Sequence, residues 1–367
     1  MTIIDRYILN IFLRMFLSTF AILLTLFITI TFFELIDDFV ANEAPYELVV
    51  KYFVMKIPEA ALNMAPMAVL IGAILSFSVI SRTGEVIILF SAGLSVWRIA
   101  APVIIAAIII SGLNFLNSEL LMPTTWKTAR DIFNVQIKKK SNKVIIRKDK
   151  IWIKADDETI WNINFADLKK GILYDIMVMS YTESRTGFKT ILKAKTATQK
   201  DGNWIFKDIR ERSFDETGNF TEKEFPEMTV TSNIKFEDIK EAEKHPEEMN
   251  YEELREYVDK ISDAGFDPTV YAVDMYLKIS FPFICFVMAM VAIPFSIRTA
   301  RASSTFAGVT LGIVIGFTFW FFFSMGISLG HGGKISPILA ASGAHVIFVS
   351  YAIYKINTMF SGSPANS

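Results

Sequence analysis

The 367-residue sequence has few of the groups that carry covalent or metal chemistry. Its single cysteine, Cys285, lies within an apolar run and has no partner for an intrachain disulfide, so we expect a buried, unreactive thiol. The three histidines, His245, His331 and His345, lack the spacing of a metal site. A nucleophile elbow and a zinc-protease helix are also missing. These absences argue against an enzyme, and neither a metal nor a cofactor is expected.

A nucleotide-binding loop is missing as well. The phosphate-binding motif requires a glycine five residues before the Gly-Lys pair and a serine or threonine after that pair. The nearest candidate, Gly333-Lys334, has Ser328 and Ile335 at those two positions. The formal net charge is -1, which gives no electrostatic footprint for nucleic acid. Any ATP hydrolysis linked to this chain is therefore expected on a separate subunit.

Apolar residues dominate the chain instead. They make up 52% of it, with 32 phenylalanines and a mean hydropathy of +0.39, which indicates an integral membrane protein. A helix needs about 20 mainly apolar residues to cross a bilayer. The first apolar run is too long for a secretory signal and no cleavage site follows it, so it is predicted to remain as a span. Six segments qualify as spans: 16–35, 57–80, 99–121, 273–297, 306–327 and 337–356.

Arginine and lysine residues in the short flanking segments predict the orientation. Arg6 and Arg14 precede the first span, Arg82 and Arg98 flank the connector between the second and third, and Lys355 closes the sixth. Such residues concentrate on the cytoplasmic side of membrane proteins. Both termini and this connector are therefore predicted to be cytoplasmic, and the long polar insert after the third span lies on the opposite side.

The connector between the second and third spans carries five successive apolar residues, 86–90, which a solvated loop would not carry. A short helix is predicted there, with Ser81 or Thr83 as its N-cap, Glu85 in its first turn and Gly93 as its stop. A helix that is apolar on most of its faces must be covered on more than one side. The connector is therefore interpreted as a docking helix for a cytoplasmic partner.

The insert is predicted to be β structure. Seven or so short strands suggest a small sandwich or jelly roll, and an exposed edge of such a sheet can be extended by a neighbour's strand. A helix then leads back to the membrane, with Asn250 as N-cap, Glu253 completing a capping box and Gly265 at its end. The predicted strands are rich in β-branched and aromatic residues: 144–147, 151–154, 159–163, 172–181, 190–198, 204–214 and 228–234.

Five groups of residues resemble one family in their order and spacing. They are Asp5-Arg6-Tyr7; Pro66-Met67-Ala68 with Gly72-Ala73, Glu85 and Ser91-Ala92-Gly93; Glu119 with Pro123 and Ala129-Arg130; Asn162; and Tyr271, Met275, Lys278 and Pro282. Each group is modest alone, but together they cover nearly the whole chain. On these residues the sequence resembles the lipopolysaccharide export permeases of the LptF/LptG type, and more closely the LptG branch.

The resemblance implies an α+β membrane protein of the bacterial inner membrane, with six transmembrane helices. A β-jellyroll-like domain in the periplasm would be inserted between helices 3 and 4. The implied domains are residues 1–122, with transmembrane helices 1–3 and a coupling helix at 82–93; residues 123–268, the periplasmic domain with its return helix at 250–264; residues 269–358, with helices 4–6; and a tail at 359–367.

The resemblance also implies a permease subunit of an ABC transporter that extracts lipopolysaccharide from the inner membrane. The lipid would pass to a periplasmic bridge for export to the outer membrane. The implied partners are an LptB-like ATPase dimer, an LptF-like permease chain, an LptC-like single-span protein and a periplasmic LptA-like jellyroll protein. Two alternatives stay open: a membrane scaffold whose periplasmic domain binds partners without transport, and a permease for another lipid or a lipoprotein.

Two sets of site residues follow from the resemblance and the sequence. Glu85 falls on the family's coupling-helix glutamate, which meets an arginine of the ATPase. Glu34 departs from the enteric LptG pattern, which has a lysine there, and Lys278 is interpreted either as an interfacial anchor or as a phosphate contact. The residues predicted to couple to the ATPase are Arg82, Glu85, Val86, Leu89, Phe90 and Gly93. Those predicted along the substrate pathway are Glu34, Lys278, Phe317, Trp320, Phe321, Trp152 and Trp161.

An apolar path through the insert is also expected. Exposing an acyl chain to water costs about 0.8 kcal/mol per CH₂, so a lipid with several chains needs apolar cover along its whole route. Trp152, Ile153, Trp161, Ile163 and Trp204 are therefore predicted to lie near a groove in the β domain.

Overall fold

The structure is a computed structural model of the chain. The chain divides into two compact units, a helical unit formed by Met1–Lys138 with Pro246–Ser367, and a β unit formed by Lys139–His245. The described residues are 2–139, 144–147, 150–155, 158–167, 171–181, 187–200, 202–214, 219–232, 234, 236, 239, 245–263, 267–299 and 305–361.

Within the described residues the helical unit is built from long α-helices with two short π-helical stretches, Asn117–Leu121 and Ile132–Ile137. A 3₁₀ turn, Pro246–Glu248, precedes the helix that follows the β unit. The α-helices are α1 (Ile3–Ala41), α2 (Tyr46–Arg82), α3 (Glu85–Ser91), α4 (Val96–Leu116), α5 (Met122–Asp131), α6 (Tyr251–Asp263), α7 (Thr269–Ser280), α8 (Ile284–Thr299), α9 (Thr305–His331) and α10 (Pro337–Ser361).

Side-chain caps begin several of these helices. At α1, Thr2 Oγ1 accepts a hydrogen bond from Asp5 N and Asp5 Oδ2 accepts one from Thr2 N (2.7 Å), which forms a capping box. The capping box predicted at Asn250 and Glu253 is confirmed, with backbone-to-side-chain distances of 2.9 and 3.1 Å. The predicted end of that helix at Gly265 lies outside the described residues.

Five described helical stretches are long and apolar enough to cross a membrane: Ile3–Ala41, Tyr46–Arg82, Val96–Ile137, Gly312–His331 and Pro337–Thr358. The fourth predicted span, 273–297, is not one straight helix. It is the pair α7 and α8, which meet at an angle of 58°. Pro282 lies in the three-residue break and has no N–H to continue the helical ladder, which accounts for the bend.

The core of the helical unit lies between α1, α2, α4 and α8. The helices α1 and α2 approach each other closely at Gly72. A Cβ atom added there would lie 2.9 Å from Phe16 Cα, so a larger residue would push the two helices apart. Leu70, Ile74 and Phe77 of α2 are fully buried around this contact.

The β unit contains one seven-stranded antiparallel sheet in which the strands follow one another in chain order. This meander corrects the prediction of a sandwich or jelly roll, because consecutive described strands pair as hairpins and no Greek-key crossing occurs among them. The strands are β1 (Val144–Arg147), β2 (Lys150–Lys154), β3 (Thr159–Asp167), β4 (Ile172–Tyr181), β5 (Phe188–Lys200), β6 (Asn203–Phe214) and β7 (Phe220–Val230).

The sheet curls around its own apolar face. In a flat sheet β3 and β6 would lie about 14 Å apart, since neighbouring strands are about 4.8 Å apart. The rings of Trp161 on β3 and Trp204 on β6 have centroids only 5.5 Å apart. Trp204 Nε1 also donates a hydrogen bond to the carbonyl of Ile234 (2.9 Å), which brings the segment after β7 onto the same core.

Of the seven strands, β7 differs most from its predicted range. It covers Phe220–Val230 rather than 228–234. Its charged residues and Pro226 obscure the pattern, and both features are typical of an edge strand. The helix α6 and residues 123–138 belong to the helical unit, although the sequence placed them in the β domain.

Candidate functional site

The connector between α2 and α4 forms the short helix α3, which is bounded by glycines. Gly84 is its N-cap with φ +76°, and Gly93 follows the helix with φ +80°. These angles lie in the left-handed region that favours glycine, and the predicted stop at Gly93 is confirmed. The predicted caps Ser81 and Thr83 are wrong, because α3 begins after Gly84 and Thr83 Oγ1 instead donates to the Ile80 carbonyl (3.0 Å) at the end of α2.

The helix α3 has an inner and an outer apolar face. Val86 is buried in the core of the helical unit, and Leu89 and Phe90 are half-buried against the same core. Ile87 and Ile88 point away from it and are 54% and 66% exposed. Two adjacent exposed isoleucines at the end of a helical bundle form a small apolar surface that the described part of the chain does not cover.

This arrangement corrects part of the predicted coupling site. Val86 was predicted to contact a partner, but it is a core residue. Arg82 closes α2 and is exposed, and Gly93 is also exposed. Ile87 and Ile88 were missed, although helical spacing separates them from the other three apolar residues of the helix. Residues 86, 89 and 90 share one helical face, so 87 and 88 must lie on another.

Side-chain contacts tie α3 and the start of α4 to the first turns of α1. The Tyr7 hydroxyl donates a hydrogen bond to Glu85 Oε1 over 3.2 Å. The Arg98 guanidinium donates to both carboxylate oxygens of Asp5, at 2.5 and 3.1 Å. The helix α3 and the start of α4 are therefore linked by side-chain contacts to the beginning of α1.

The helix α1 buries little of its remaining length. Between Thr19 and Phe39 none of its residues is buried. The predicted pathway residue Glu34 is exposed on this stretch. On α9, Phe317 and Phe321 are 71% and 65% exposed.

Trp320 differs from its two neighbours on α9. Its ring packs against Phe281 at 5.7 Å and is partly buried. The aromatic cluster of α9 thus divides into an inner part, which includes Phe319 and Phe323, and an uncovered outer part formed by Phe317 and Phe321.

Lys278 occupies the last turn of α7 and is half-buried. The carboxylates that act on it electrostatically include Glu119 and Asp274. Glu119 also accepts a hydrogen bond from Tyr251 N over 2.9 Å. Lys278 therefore lies near carboxylates of the same chain, and its roles as an anchor or as a phosphate contact both stay predictions.

The predicted groove residues lie on two sides of the β sheet. Trp161, Ile153, Ile163 and Trp204 are buried and pack into the core of the β unit. They fill the inner face of the curled sheet instead of lining an open groove, which corrects the prediction for this conformation. Trp152 is half-buried and lies between the inward-facing residues of β2, so the pleat directs it to the outer face.

The described residues contain no group of three or more His, Cys, Asp or Glu side chains that could hold a metal ion. Cys285 is fully buried, and Asn114 Nδ2 lies 3.6 Å from its sulfur. The exposed face of α3 and the uncovered faces of α1 and α9 are therefore candidates for contact with a partner or substrate; α4 and α10 also carry exposed apolar residues, such as Ile109 and Ile347.

Comparison with known proteins agrees with this arrangement. Residues 6–358 match the family model described as lipopolysaccharide export system permease LptF/LptG. The chain is 23% identical over 271 residues to the lipopolysaccharide export system permease protein LptG of Haemophilus influenzae, covering 72% of this chain and 73% of that protein. It is 22% identical over 324 residues to LptG of Escherichia coli K12, covering 87% and 88%. The chain belongs to the lipopolysaccharide export permease family LptF/LptG.

Proposed function

We propose that the chain is the permease subunit of an ATP-driven exporter that lifts lipopolysaccharide out of the inner membrane and passes it to a periplasmic bridge. Family membership and the match to LptG proteins support the substrate and the system. A chain of this family is a transport subunit rather than a catalyst. ATP hydrolysis is assigned to a separate subunit of the LptB type, since the sequence has no phosphate-binding loop.

The observation that carries the proposal is the uncovered pair Ile87 and Ile88 on α3. Burying an isoleucine side chain is worth about 1.5–3 kcal/mol, so leaving two adjacent ones in water is unfavourable unless a partner covers them. The short helix connects two spans and is flanked by Arg82 and Arg98, which favour the cytoplasmic side. In this position the helix would be the docking site for an ATPase dimer.

Coupling would follow from the contacts of α3 with α1. When the ATPases move α3, the Tyr7–Glu85 hydrogen bond and the Asp5–Arg98 ion pair carry that motion into the first turns of α1. The uncovered stretch of α1 between Thr19 and Phe39 would then shift against its neighbours. Such a rigid-body displacement would open and close a lateral entrance for lipid.

The uncovered faces of α1 and α9 also support a second permease chain. In this proposal an LptF-like chain would meet this one so that Phe317, Phe321 and the outer face of α1 line a shared apolar cavity. An LptC-like single-span protein and an LptA-like jellyroll protein would receive the lipid on the periplasmic side, where the β unit is placed. Both termini would be cytoplasmic.

The test is reconstitution of this chain with its ATPase and permease partners in liposomes that contain lipopolysaccharide. We expect ATP-dependent transfer of lipopolysaccharide to the periplasmic acceptor protein. The variant Glu85→Ala should leave assembly intact but separate ATP hydrolysis from transfer. Glu47→Ala is the matched control, because Glu47 also lies in a first helical turn and is exposed, but at the other end of α2. Equal transfer by Glu85→Ala and Glu47→Ala would refute the coupling role.

A further inference from the structure

A cleft of about 840 Å³ is lined mainly by polar side chains of the curled sheet and also by core residues such as Ile176 and Ile209. It crosses β3 to β7 at one level. In each of these strands, one residue lies between two rows of paired residues and is itself unpaired. In strand order, these residues are Asn164, Asp175, Lys195, Asp208 and Pro226. An unpaired residue in one strand would form a local β-bulge. Because all five strands carry an unpaired residue at the same level, the whole sheet is creased there instead.

Two of the five residues have a left-handed backbone. Asp175 and Asp208 have φ values of +49° and +53°, a region that aspartate tolerates better than most residues. Both are exposed and project from alternate strands on either side of Lys195. The crease thus presents carboxylates and an ammonium group side by side.

Most of the charged groups of this cleft form no ion pair among the described residues. Arg210 is paired with Glu224 over 2.8 Å. Asp175, Lys193, Lys195 and Asp208 form no ion pair within 4 Å among the described residues, although the four lie close together. Neighbouring opposite charges that do not pair are available to a ligand that both donates and accepts hydrogen bonds.

A buried amide at the edge of the cleft supplies a second, independent indication. Asn162 lines the cleft and is only 6% exposed, but its Nδ2 has no hydrogen-bond partner among the described residues. A buried donor without an acceptor is costly, so a ligand atom that accepted a hydrogen bond from this amide would be favoured.

We propose that this cleft binds a hydroxyl-rich oligosaccharide. Each sugar hydroxyl both donates and accepts a hydrogen bond, which suits alternating carboxylates, ammonium groups and an amide. The apolar side chains of Met177 and Pro226 in the same cleft, with Trp152 next to Asn162 in the register, offer surfaces for the C–H face of a sugar ring. The cleft volume lies within the range of small-ligand sites.

The balanced charge of the cleft excludes simpler ligands. A free phosphate would meet Asp175 and Asp208, and a metal cation would meet Lys193 and Lys195. A peptide strand would need a free sheet edge, whereas the cleft lies across paired strands. If the proposed function holds, on which this identification of the source rests, the oligosaccharide is the sugar portion of lipopolysaccharide held outside the apolar interior.

The test measures binding of the lipid-free oligosaccharide, released from lipopolysaccharide by mild acid, to the full-length chain in lipid nanodiscs. We expect Lys195→Gln and Asn162→Leu each to weaken binding by about tenfold, as loss of one good hydrogen bond implies. Lys189→Gln is the control, because Lys189 is exposed on β5 but lies outside the cleft. Asn162→Leu should leave the melting temperature unchanged or raise it, since it removes an unpartnered buried amide.

Four results separate the possibilities. Oligosaccharide binding that none of the cleft variants weakens would overturn the proposal, as would full displacement of the oligosaccharide by inorganic phosphate, which would reveal an anion site only. The oligosaccharide could fail to bind while the reconstituted complex still transfers lipopolysaccharide. That result would overturn the assignment of the cleft as a sugar site and leave the proposed function standing. A complex that transfers no lipopolysaccharide would overturn the proposed function, whatever the cleft binds.

Discussion

The exposed face of α3 gives a quantitative prediction for the variant Ile88→Ser. Burial of a whole isoleucine side chain is worth about 1.5–3 kcal/mol. Two thirds of this side chain is exposed in the isolated chain, so docking can bury at most that share. The variant should therefore weaken ATPase binding by about 1–2 kcal/mol, which corresponds to about 5- to 30-fold in the dissociation constant.

The assay is the affinity of the purified ATPase for the permease complex in nanodiscs, measured by titration at fixed ionic strength. Val40→Ser is the matched control, because Val40 is an equally uncovered aliphatic residue about 50 Å farther along α1 from Tyr7. Val86→Ala should behave differently from both, since it removes a core methyl pair and lowers the melting temperature. An unchanged ATPase affinity for Ile88→Ser would refute the assignment of this face as the docking surface.

Two further variants test the coupling contact and the helix packing. Tyr7→Phe removes the hydrogen bond to Glu85 and should lower the lipopolysaccharide transferred per ATP hydrolysed while the ATPase still binds; an unchanged transfer ratio in liposomes would contradict the proposed transmission to α1. Gly72→Ala places a Cβ 2.9 Å from Phe16 Cα and should destabilise the chain by about 1–3 kcal/mol in thermal unfolding, whereas Gly112→Ala, with no atom within 4 Å of its added Cβ, should be neutral or stabilising. Equal melting temperatures for the two glycine variants would refute the close approach of α1 and α2.

Much of the helical unit could be predicted from apolar runs, because a membrane span needs length and apolar character and both can be counted. The bend between α7 and α8 could not, since a run that contains Pro282 satisfies the same count whether it is straight or broken. The face of α3 depends on helical phase instead. Residues 86–90 are all apolar, so no polar residue among them indicates which side of the helix is exposed.

The crease in the β sheet could not be predicted from the sequence either, but for a different reason. One extra residue per strand shifts the alternation of apolar and polar positions by one, which in a single strand looks like noise. Only the pairing of Ile163, Ile176, Ala194, Ile209 and Phe225 in one row shows that the five shifts coincide. The unpaired charges at Asp175 and Lys195 become a site through this alignment alone.

The packed interior of the β unit bears on how a lipid could use it. The sheet is a meander whose edges, β1 and β7, do not pair with each other among the described strands, so its curl can open without breaking a ladder hydrogen bond. Opening would separate side chains such as Trp161 and Trp204, which touch across the curl. Acyl chains that entered between them would cover the separated apolar side chains again. Each CH₂ group buried in this way contributes about 0.8 kcal/mol. A closed barrel would have to break strand pairing to admit the same chains, so an open curled sheet suits a path that is filled only when lipid passes.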